Sequence, residues 1–412
     1  MKLTVLTQYF PPTSNACTNR MSSLCLELQK LGHEITVLAG MPNYPDGIKP
    51  RPYRWKLYRK EQWSGMTIHR TYEFPTANAG TGGRLLNYLS FMISACFAVF
   101  VLPRQDVLIV TSPPLFVTYP ARLLARLRAR TLVVDIRDAW PRVLIEAGHA
   151  KPRSWPIRLL ESTELAAYRA ADLVTVATEG LRDHVMERCS GRIPSTPGVL
   201  VSYNGISTDL ELKPAPIAVD PGEFTITFAG NFTRLYDLVG LIQFAIRLQA
   251  EPGDMFAAVK FLFVGDGELL ASMRAECDRE QAHNVRFADW LPREQVMSVL
   301  RDSDACVLYL QDLDLMKGAL PTKMFEAMYS ECAILTNMDG EARRLLENAK
   351  CGYFFESRNF ESFRDALHAM VSQRETFERR CRHAREYVRA HHDRAAIVQG
   401  LDVALGALTG DC

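Results

Sequence analysis

The sequence predicts an α/β protein made of two doubly wound domains, each a parallel sheet with helices on both faces. Three observations predict it. Short apolar segments alternate with helical patterns, and several are apolar on both faces, as strands covered on both sides must be. The alternation runs as two consecutive series. A break with three prolines in residues 212–222 separates them.

In the first series the strand candidates are 3–8, 35–39, 67–71, 107–111, 132–136, 173–177 and 200–203. Residues 16–31 and 156–169 carry helical patterns between them. Gly32-His33 ends the first helix with a glycine and returns the chain to Ile35. The opening residues, Met1 to Thr7, read as a strand and not as a signal peptide. Two stretches stand apart. Residues 49–63 set six basic side chains among Tyr53, Trp55, Tyr58 and Trp63, a mixture suited to an anionic membrane surface, to single-stranded nucleic acid or to a solvated basic loop. Residues 85–102 are almost uncharged but carry Asn87, Tyr88, Ser90 and Ser94. A core helix, a helix lying in the membrane plane and a short span all fit that length. The apolar segment follows the basic stretch in one domain, and that pairing favours the membrane reading of the basic stretch.

Residues 212–222 are expected to be a linker. The second series has strand candidates 224–228, 259–264, 285–287, 305–309, 333–337 and 353–355, with a charged helical tail from Glu361 onward. The expected division is 1–211 for the first domain, with a membrane-associating segment at 49–102, and 223–390 for the second. Residues 391–412 are expected to form a C-terminal helix able to pack back on the first domain.

The 412 residues hold 48 basic and 47 acidic side chains, a net charge of +1, so no global field points to nucleic acid. The ten cysteines are scattered without a CxxC, which reads as reduced thiols in a cytoplasmic compartment. No Gly-x-Gly-x-x-Gly follows the first strand, no phosphate loop of the Gly-Lys-Ser/Thr type is present, and no Gly-x-Ser-x-Gly elbow occurs. No cofactor and no metal are called for.

Ligands of such sheets sit beyond the carboxyl ends of the strands, so the loops there carry the chemistry, and the cleft between the domains is the expected site. The most informative is the run from Leu320 to Met328. Pro321 suits a helix start, and Lys323 and Glu326, three apart, share a face. Free N–H groups and the dipole favour an anion there; Lys323 adds charge and Glu326 can accept from a diol. A phosphate beside a ribose needs that arrangement; a capped surface helix with an ordinary ion pair also explains it. In Gly230-Asn231-Phe232-Thr233-Arg234, Arg234 can fork onto a diphosphate or be a surface arginine. Gly265-Asp266-Gly267-Glu268 allows close backbone approach or is a simple turn. Asp135 to Pro141 ends an apolar strand, and Asp138 either orients a substrate hydroxyl or caps a helix. The glycine-free loop Tyr9 to Ala16, running into a helix with Arg20, is a weak phosphate site or a capped turn.

Together these residues resemble the retaining nucleotide-sugar glycosyltransferases of family 4, which have the GT-B fold of two Rossmann-like domains facing across a cleft. The resemblance rests on Tyr9-Phe10-Pro11-Pro12, Gly32 to Val37, Pro42-Asn43-Tyr44-Pro45, Ser112-Pro113-Pro114, Asp135 to Pro141, Asn204-Gly205, Gly230-Asn231, Val264 to Glu268 and Pro321 to Met328. It is strongest to the bacterial branch that builds capsule, colanic-acid and O-antigen repeats, including L-fucosamine transferases. It implies a donor site of Gly230, Asn231, Arg234, Gly265, Trp290, Leu291, Gly318, Ala319, Leu320, Lys323 and Glu326. Arg234 and Lys323 would hold the diphosphate, Glu326 the ribose, and Trp290 and Leu291 the base. Asp138 matches a carboxylate of the branch, and Asn15, Arg20 and Asp138 fall on the acceptor side. Gly318 stands where the family has a sugar-binding glutamate.

The resemblance implies a retaining, metal-independent hexosyltransferase. It would use a UDP-type nucleotide-sugar donor and a polyprenyl-diphosphate-linked acceptor in surface polysaccharide assembly, such as lipopolysaccharide. It would be cytoplasmic and peripheral on the inner face of the cell membrane. A sugar-nucleotide 2-epimerase shares the architecture, and a non-catalytic membrane-binding sugar-nucleotide sensor is the third reading.

Overall fold

In a computed structural model, the structure describes residues 1–13, 15–44, 46–76, 81–146, 148, 150–193, 197–208, 211–253 and 255–410. Ser14 and Pro45, within two of the motifs above, lie outside them. The chain divides into two compact units, Met1–Asn204 with Arg394–Cys412, and Gly205–Asp393.

The first unit holds an eight-stranded sheet. Its strands are β1 (Lys2–Thr7), β2 (Glu34–Gly40), β3 (Tyr58–Trp63), β4 (Met66–Thr71), β5 (Gln105–Ser112), β6 (Ala129–Ile136), β7 (Leu173–Val176) and β8 (Gly198–Val201). The order is β3-β4-β2-β1-β5-β6-β7-β8, parallel throughout except for β3, which runs antiparallel to β4. The inner strands are apolar on both faces because helices cover both. Val5, Leu6, Val37, Leu38, Ile109 and Val110 are all buried.

β3 is a correction to the reading of 49–63 as a continuous basic segment. Its alternation of half-buried and exposed residues is that of an edge strand, and its charges keep the outer edge solvated. Arg70 on β4 holds Glu61 of β3 at 2.8 Å. The residues before β3 form a short 3₁₀ turn, Arg51–Tyr53, and a tip where Trp55 is 99% exposed and Leu57 is also exposed.

The apolar segment forms the helix Thr81–Cys96 followed by a 3₁₀ turn, Phe97–Phe100. One face, with Phe91, Ala95, Ala98 and Val99, joins the core of the first unit. Ser94 Oγ donates to Tyr72 O at 2.5 Å, and the amide of Asn87 donates to Glu73 Oε1 at 2.7 Å. The opposite face leaves Leu86, Ile93, Phe97 and Phe100 exposed. By length and composition Gly82–Phe100 could cross a membrane, yet it contributes one side to the core.

The second unit has six parallel strands: β9 (Phe224–Ala229), β10 (Val259–Val264), β11 (Val285–Ala288), β12 (Ala305–Leu308), β13 (Ala333–Thr336) and β14 (Gly352–Phe354). Their order is β11-β10-β9-β12-β13-β14. The direction of winding reverses between β9 and β12, and a crevice opens beyond the strand ends at such a point. The core is rich in phenylalanine, with Phe228, Phe232, Phe261 and Phe263 in one cluster.

Residues 212–222 are not a free linker. Ala215, Ile217 and Val219 pack on Ala229, Leu262 and Val299, because apolar residues alternate between the prolines and lie as an extended strip. The unit boundary falls earlier, at Asn204 and Gly205. The C-terminal helix likewise starts later than 391: one helix runs Arg374–His391 and the next Arg394–Thr409, the latter in the first unit. There Arg394 is fully enclosed and donates to Ser23 Oγ, Tyr203 O and Arg20 O at 2.9–3.2 Å.

Candidate functional site

In the second unit, loops at the carboxyl ends of β9, β10, β11 and β12 carry the residues expected on the donor side. The loop after β9 folds against the loop after β10. Gly230 N donates to Val264 O at 2.8 Å, and Phe232 N to Asp266 O at 2.8 Å. Phe232 is buried and meets Phe263 edge-on, which anchors the turn in the aromatic core. Gly265 has φ +140°, and a β-carbon there would collide with Gly230 O. Glycine is required at that contact because two backbones touch.

The helix Thr322–Tyr329 begins behind Pro321, which caps it without a side-chain hydrogen bond. Its first N–H groups are therefore free of a side-chain acceptor, and its dipole is positive at that end. Met324, Phe325, Ala327 and Met328 bury one face. Lys323 leans toward β9. Its Nζ lies 4.2 Å above the Phe228 ring and 4.4 Å above Tyr236. Nζ is buried and has no hydrogen-bond partner among the described residues. Gly230, with φ +133°, faces it directly, and a β-carbon there would strike Nζ. An ammonium group held this way, beside an uncapped helix start and a glycine turn, is built to receive an anion.

The structure thus brings together Gly230, Asn231, Gly265 and Lys323. Arg234 lies in the same loop but is 83% exposed, with only a 3.5 Å approach to Glu268. Gly318 ends a 3₁₀ turn, Asp314–Gly318, Ala319 N bonds to Met316 O, and Leu320 is buried. These three set the entry to the helix. Glu326 is paired with Arg293, Nε to Oε1 at 2.7 Å. Arg293 was not anticipated. Its signal is an arginine directly after Pro292 at the first turn of a helix, where the dipole disfavours a cation unless an acid holds it. Trp290, just before it, is exposed, while Leu291 packs in the cluster with Ala215 and Ile217. Tyr236, the second ring under Lys323, was also missed, since nothing local marks it.

On the first unit, two acceptor-side expectations change. Arg20 is buried and makes a bidentate pair with Asp135 at 2.7 and 3.2 Å. Thr111 and Thr175 complete the Asp135 carboxylate. Burial alone would raise the Asp135 pKa, but the charge and hydrogen bonds of Arg20, with Arg137 nearby, hold it below the ordinary value. Arg20 is therefore a core ion pair and not an acceptor contact. Asn15 caps its helix, accepting from Thr18 N at 2.9 Å, so the loop is a capped turn. Asp138 is exposed at the end of β6, beside Arg137, whose guanidinium donates to Pro113 O at 2.7 Å.

One further cluster went unread. At the ends of β1 and β4, Gln8, Glu73 and Asn87 form a buried network, with Gln8 Nε2 donating to Glu73 Oε1 at 2.9 Å and to Asn87 Oδ1 at 2.6 Å. Burial pushes the Glu73 pKa up to about 7, against the opposing hydrogen bonds from Gln8, Asn43 and Asn87. An acid two residues past the end of β4 was its only sequence signal.

Comparison with known proteins agrees with this layout. Residues 211–390 match the family described as Glycosyl transferases group 1, and residues 15–203 match a Glycosyl transferase 4-like domain. WcaI of Escherichia coli (strain K12), named as a colanic acid biosynthesis glycosyl transferase, is 23% identical over 302 residues, covering 71% of this chain and 72% of its own. Sucrose-phosphate synthase from Thermosynechococcus elongatus has the same fold, with a TM-score of 0.74 at 12% identity over the full length of both chains. Anabaena HepE, solved in complex with UDP, has a TM-score of 0.67 at 13% identity, covering 99% of this chain and 100% of its own. The architecture is GT-B.

Proposed function

Because the chain is a glycosyltransferase of group 1, we propose that it moves a hexose-type sugar from a nucleoside-diphosphate donor, UDP-linked, to a polyprenyl-diphosphate-linked acceptor in surface polysaccharide assembly, with retention of configuration and no metal. The observation that carries the reading is Lys323: a buried ammonium without a hydrogen-bonding partner among the described residues, set between Gly230 and a helix start. A departing diphosphate places negative charge there. Lys323, the first N–H groups of Thr322–Tyr329 and, from its exposed position in the loop after β9, Arg234 stabilise it. Donors fixed before the reaction do this with little reorganisation.

The reaction breaks the bond from the sugar C1 to the phosphate oxygen and forms one from C1 to the acceptor oxygen. Retention through a front-face displacement sends the acceptor proton to the leaving phosphate. Asp138 orients the acceptor hydroxyl. Arg293 fixes the Glu326 carboxylate through Oε1, which orients the acid toward a ribose diol. UDP as the nucleotide is supported by the GT-B neighbour solved with UDP.

The acceptor reading is supported by the exposed face of Leu86, Ile93, Phe97 and Phe100 and by the tip at Trp55, in the same unit. Lys49 lies 4.0 Å over the Tyr72 ring, and Tyr72 O accepts from Ser94 of the apolar helix, so the basic stretch and the apolar helix are neighbours. The protein is proposed to work peripherally on the cytoplasmic membrane face.

Incubation with a panel of nucleotide sugars and a lipid-diphosphate acceptor tests the reading. The expected product carries a new glycosidic bond with the donor's anomeric configuration, formed equally well with a chelator present. An epimerised nucleotide sugar, or no turnover with any donor, would replace it with one of the rival readings.

A further inference from the structure

A cavity of ≈ 560 Å³ lies in the first unit, between the helices Trp155–Ala170 and Glu179–Cys189. None of the donor- or acceptor-side residues lines it. Arg153, Arg158, Arg169, Arg188 and Arg192 do, against one acid, Glu161. Arg158, Glu161 and Arg169 stand on one helix face by their spacing of three and eight, and Arg158 and Arg169 are about 16 Å apart along the axis.

Arg188 forms a fixed wall. Its Nε donates to Glu164 Oε2 at 2.9 Å, and Glu164 is buried and also bonded by His184 and Tyr168. Arg169 donates to Arg192 O at 3.2 Å. Among the described residues, no carboxylate forms an ion pair with Arg153, Arg158, Arg169 or Arg192. Five guanidinium groups line the cavity against the single carboxylate of Glu161, so an entering anion gains from the excess positive charge. Guanidinium groups match phosphate oxygens in pairs, which lysines do not.

The surroundings narrow the ligand. Trp155 and Leu159 are exposed on the same helix. Tyr119 OH meets Thr163 Oγ1 at 2.9 Å, which ties this helix to Thr118–Arg128, where Leu123 and Leu127 are exposed. Apolar side chains beside a basic groove suit a phosphate that sits at a hydrocarbon boundary.

We propose that this groove is a binding site for phosphate groups, separate from the donor site, in which Arg158, Arg169 and Arg192 take the phosphate oxygens against the fixed Arg188. The phosphate belongs either to an anionic lipid headgroup or to a free phosphorylated ligand. The proposal does not depend on sugar transfer.

The test compares wild type with Arg158→Ala/Arg169→Ala/Arg192→Ala. All three are exposed, so the melting temperature should hold. A control, Arg279→Ala/Arg301→Ala/Arg343→Ala, removes the same charge from exposed arginines of the second unit that already have acidic partners. Inorganic diphosphate binding is followed by calorimetry with excess UDP present. Cosedimentation is followed with phosphatidylcholine vesicles, with and without phosphatidylglycerol. The groove variant should bind diphosphate about tenfold more weakly, and the control as wild type. If binding to phosphatidylglycerol vesicles falls in parallel, and diphosphate competes with it, the phosphate is a lipid headgroup. If vesicle binding is unchanged, it is a free ligand. Equal diphosphate binding by all three proteins, or equal loss in both variants, overturns the site.

Discussion

The most consequential difference between residues lies within the donor set. Lys323 is enclosed by Phe228, Tyr236 and Gly230, whereas Arg234 is 83% exposed. Preorganised charge is worth more than mobile charge, so Lys323→Ala should lower turnover by about two orders of magnitude or more. Arg234→Ala should cost less unless the loop tightens on the donor; rates for both on one donor decide this, and near wild-type turnover in both would remove the donor-site assignment. Arg20 belongs to a different class. Replacing it with alanine strands Asp135, which is 2% exposed, at a cost of about 3–5 kcal/mol. Urea unfolding should show that loss, while a soluble variant should keep its acceptor KM. Glu73 makes stability pH-dependent. Its carboxyl is raised from 4.5 to about 7, so the unfolded chain gives up this proton first as pH rises. Stability therefore falls between about pH 4.5 and pH 7 and levels above that, by roughly 3 kcal/mol for this group. Glu73→Gln keeps the acceptor for Gln8 and Asn87, so unfolding midpoints at pH 5 and pH 8 should lose this part of the difference. An unaltered pH dependence would show that the carboxyl titrates normally.

At the scale of elements, the site is two glycine turns against one helix start. Gly230 cannot carry a side chain for two reasons, its φ of +133° and the position of Lys323 Nζ. Gly230→Ala should cost more than about 1 kcal/mol and weaken UDP binding. In a Lys323→Ala background the collision is gone, and only the backbone strain should remain. A thermal-melting cycle of the two variants should thus be non-additive, and simple additivity would place Lys323 away from the turn. The strands were readable because two-sided burial leaves a short, unbroken apolar run, as in Val259–Val264, whose bounds the structure reproduces. β3 was not, because an edge strand half in water keeps its charges and looks like a loop. Residues 212–222 deceived in the opposite sense, since prolines that mark a linker also suit an extended strip lying on a sheet.

At the scale of the whole molecule, the first unit presents hydrophobic surface that its own core does not use. Ile93, Phe97 and Phe100 are 56%, 63% and 78% exposed, on a helix whose other side is buried. Ile93→Ser/Phe97→Ser/Phe100→Ser with Trp55→Ser should keep the fold and UDP affinity. It should lose most binding to anionic vesicles, with Arg51, Arg54 and Lys56 each adding about 1 kcal/mol near the surface. Wild-type protein that ignores such vesicles, or that resists carbonate extraction, would refute peripheral attachment.

Local pattern was enough to read the two-sheet architecture, the glycine turns at the strand ends, and the helix that carries Lys323 and Glu326. Each of these depends on spacings of a few residues, which a chain carries with it wherever it folds. Tertiary structure alone decided that Arg20 faces Asp135, that Arg293 faces Glu326, that Glu73 is enclosed with Gln8 and Asn87, and that five arginines on and beside two helices share one cavity. Those partners are distant in sequence. Whether a charge meets water, an acid or an aromatic ring is set by what the fold places against it.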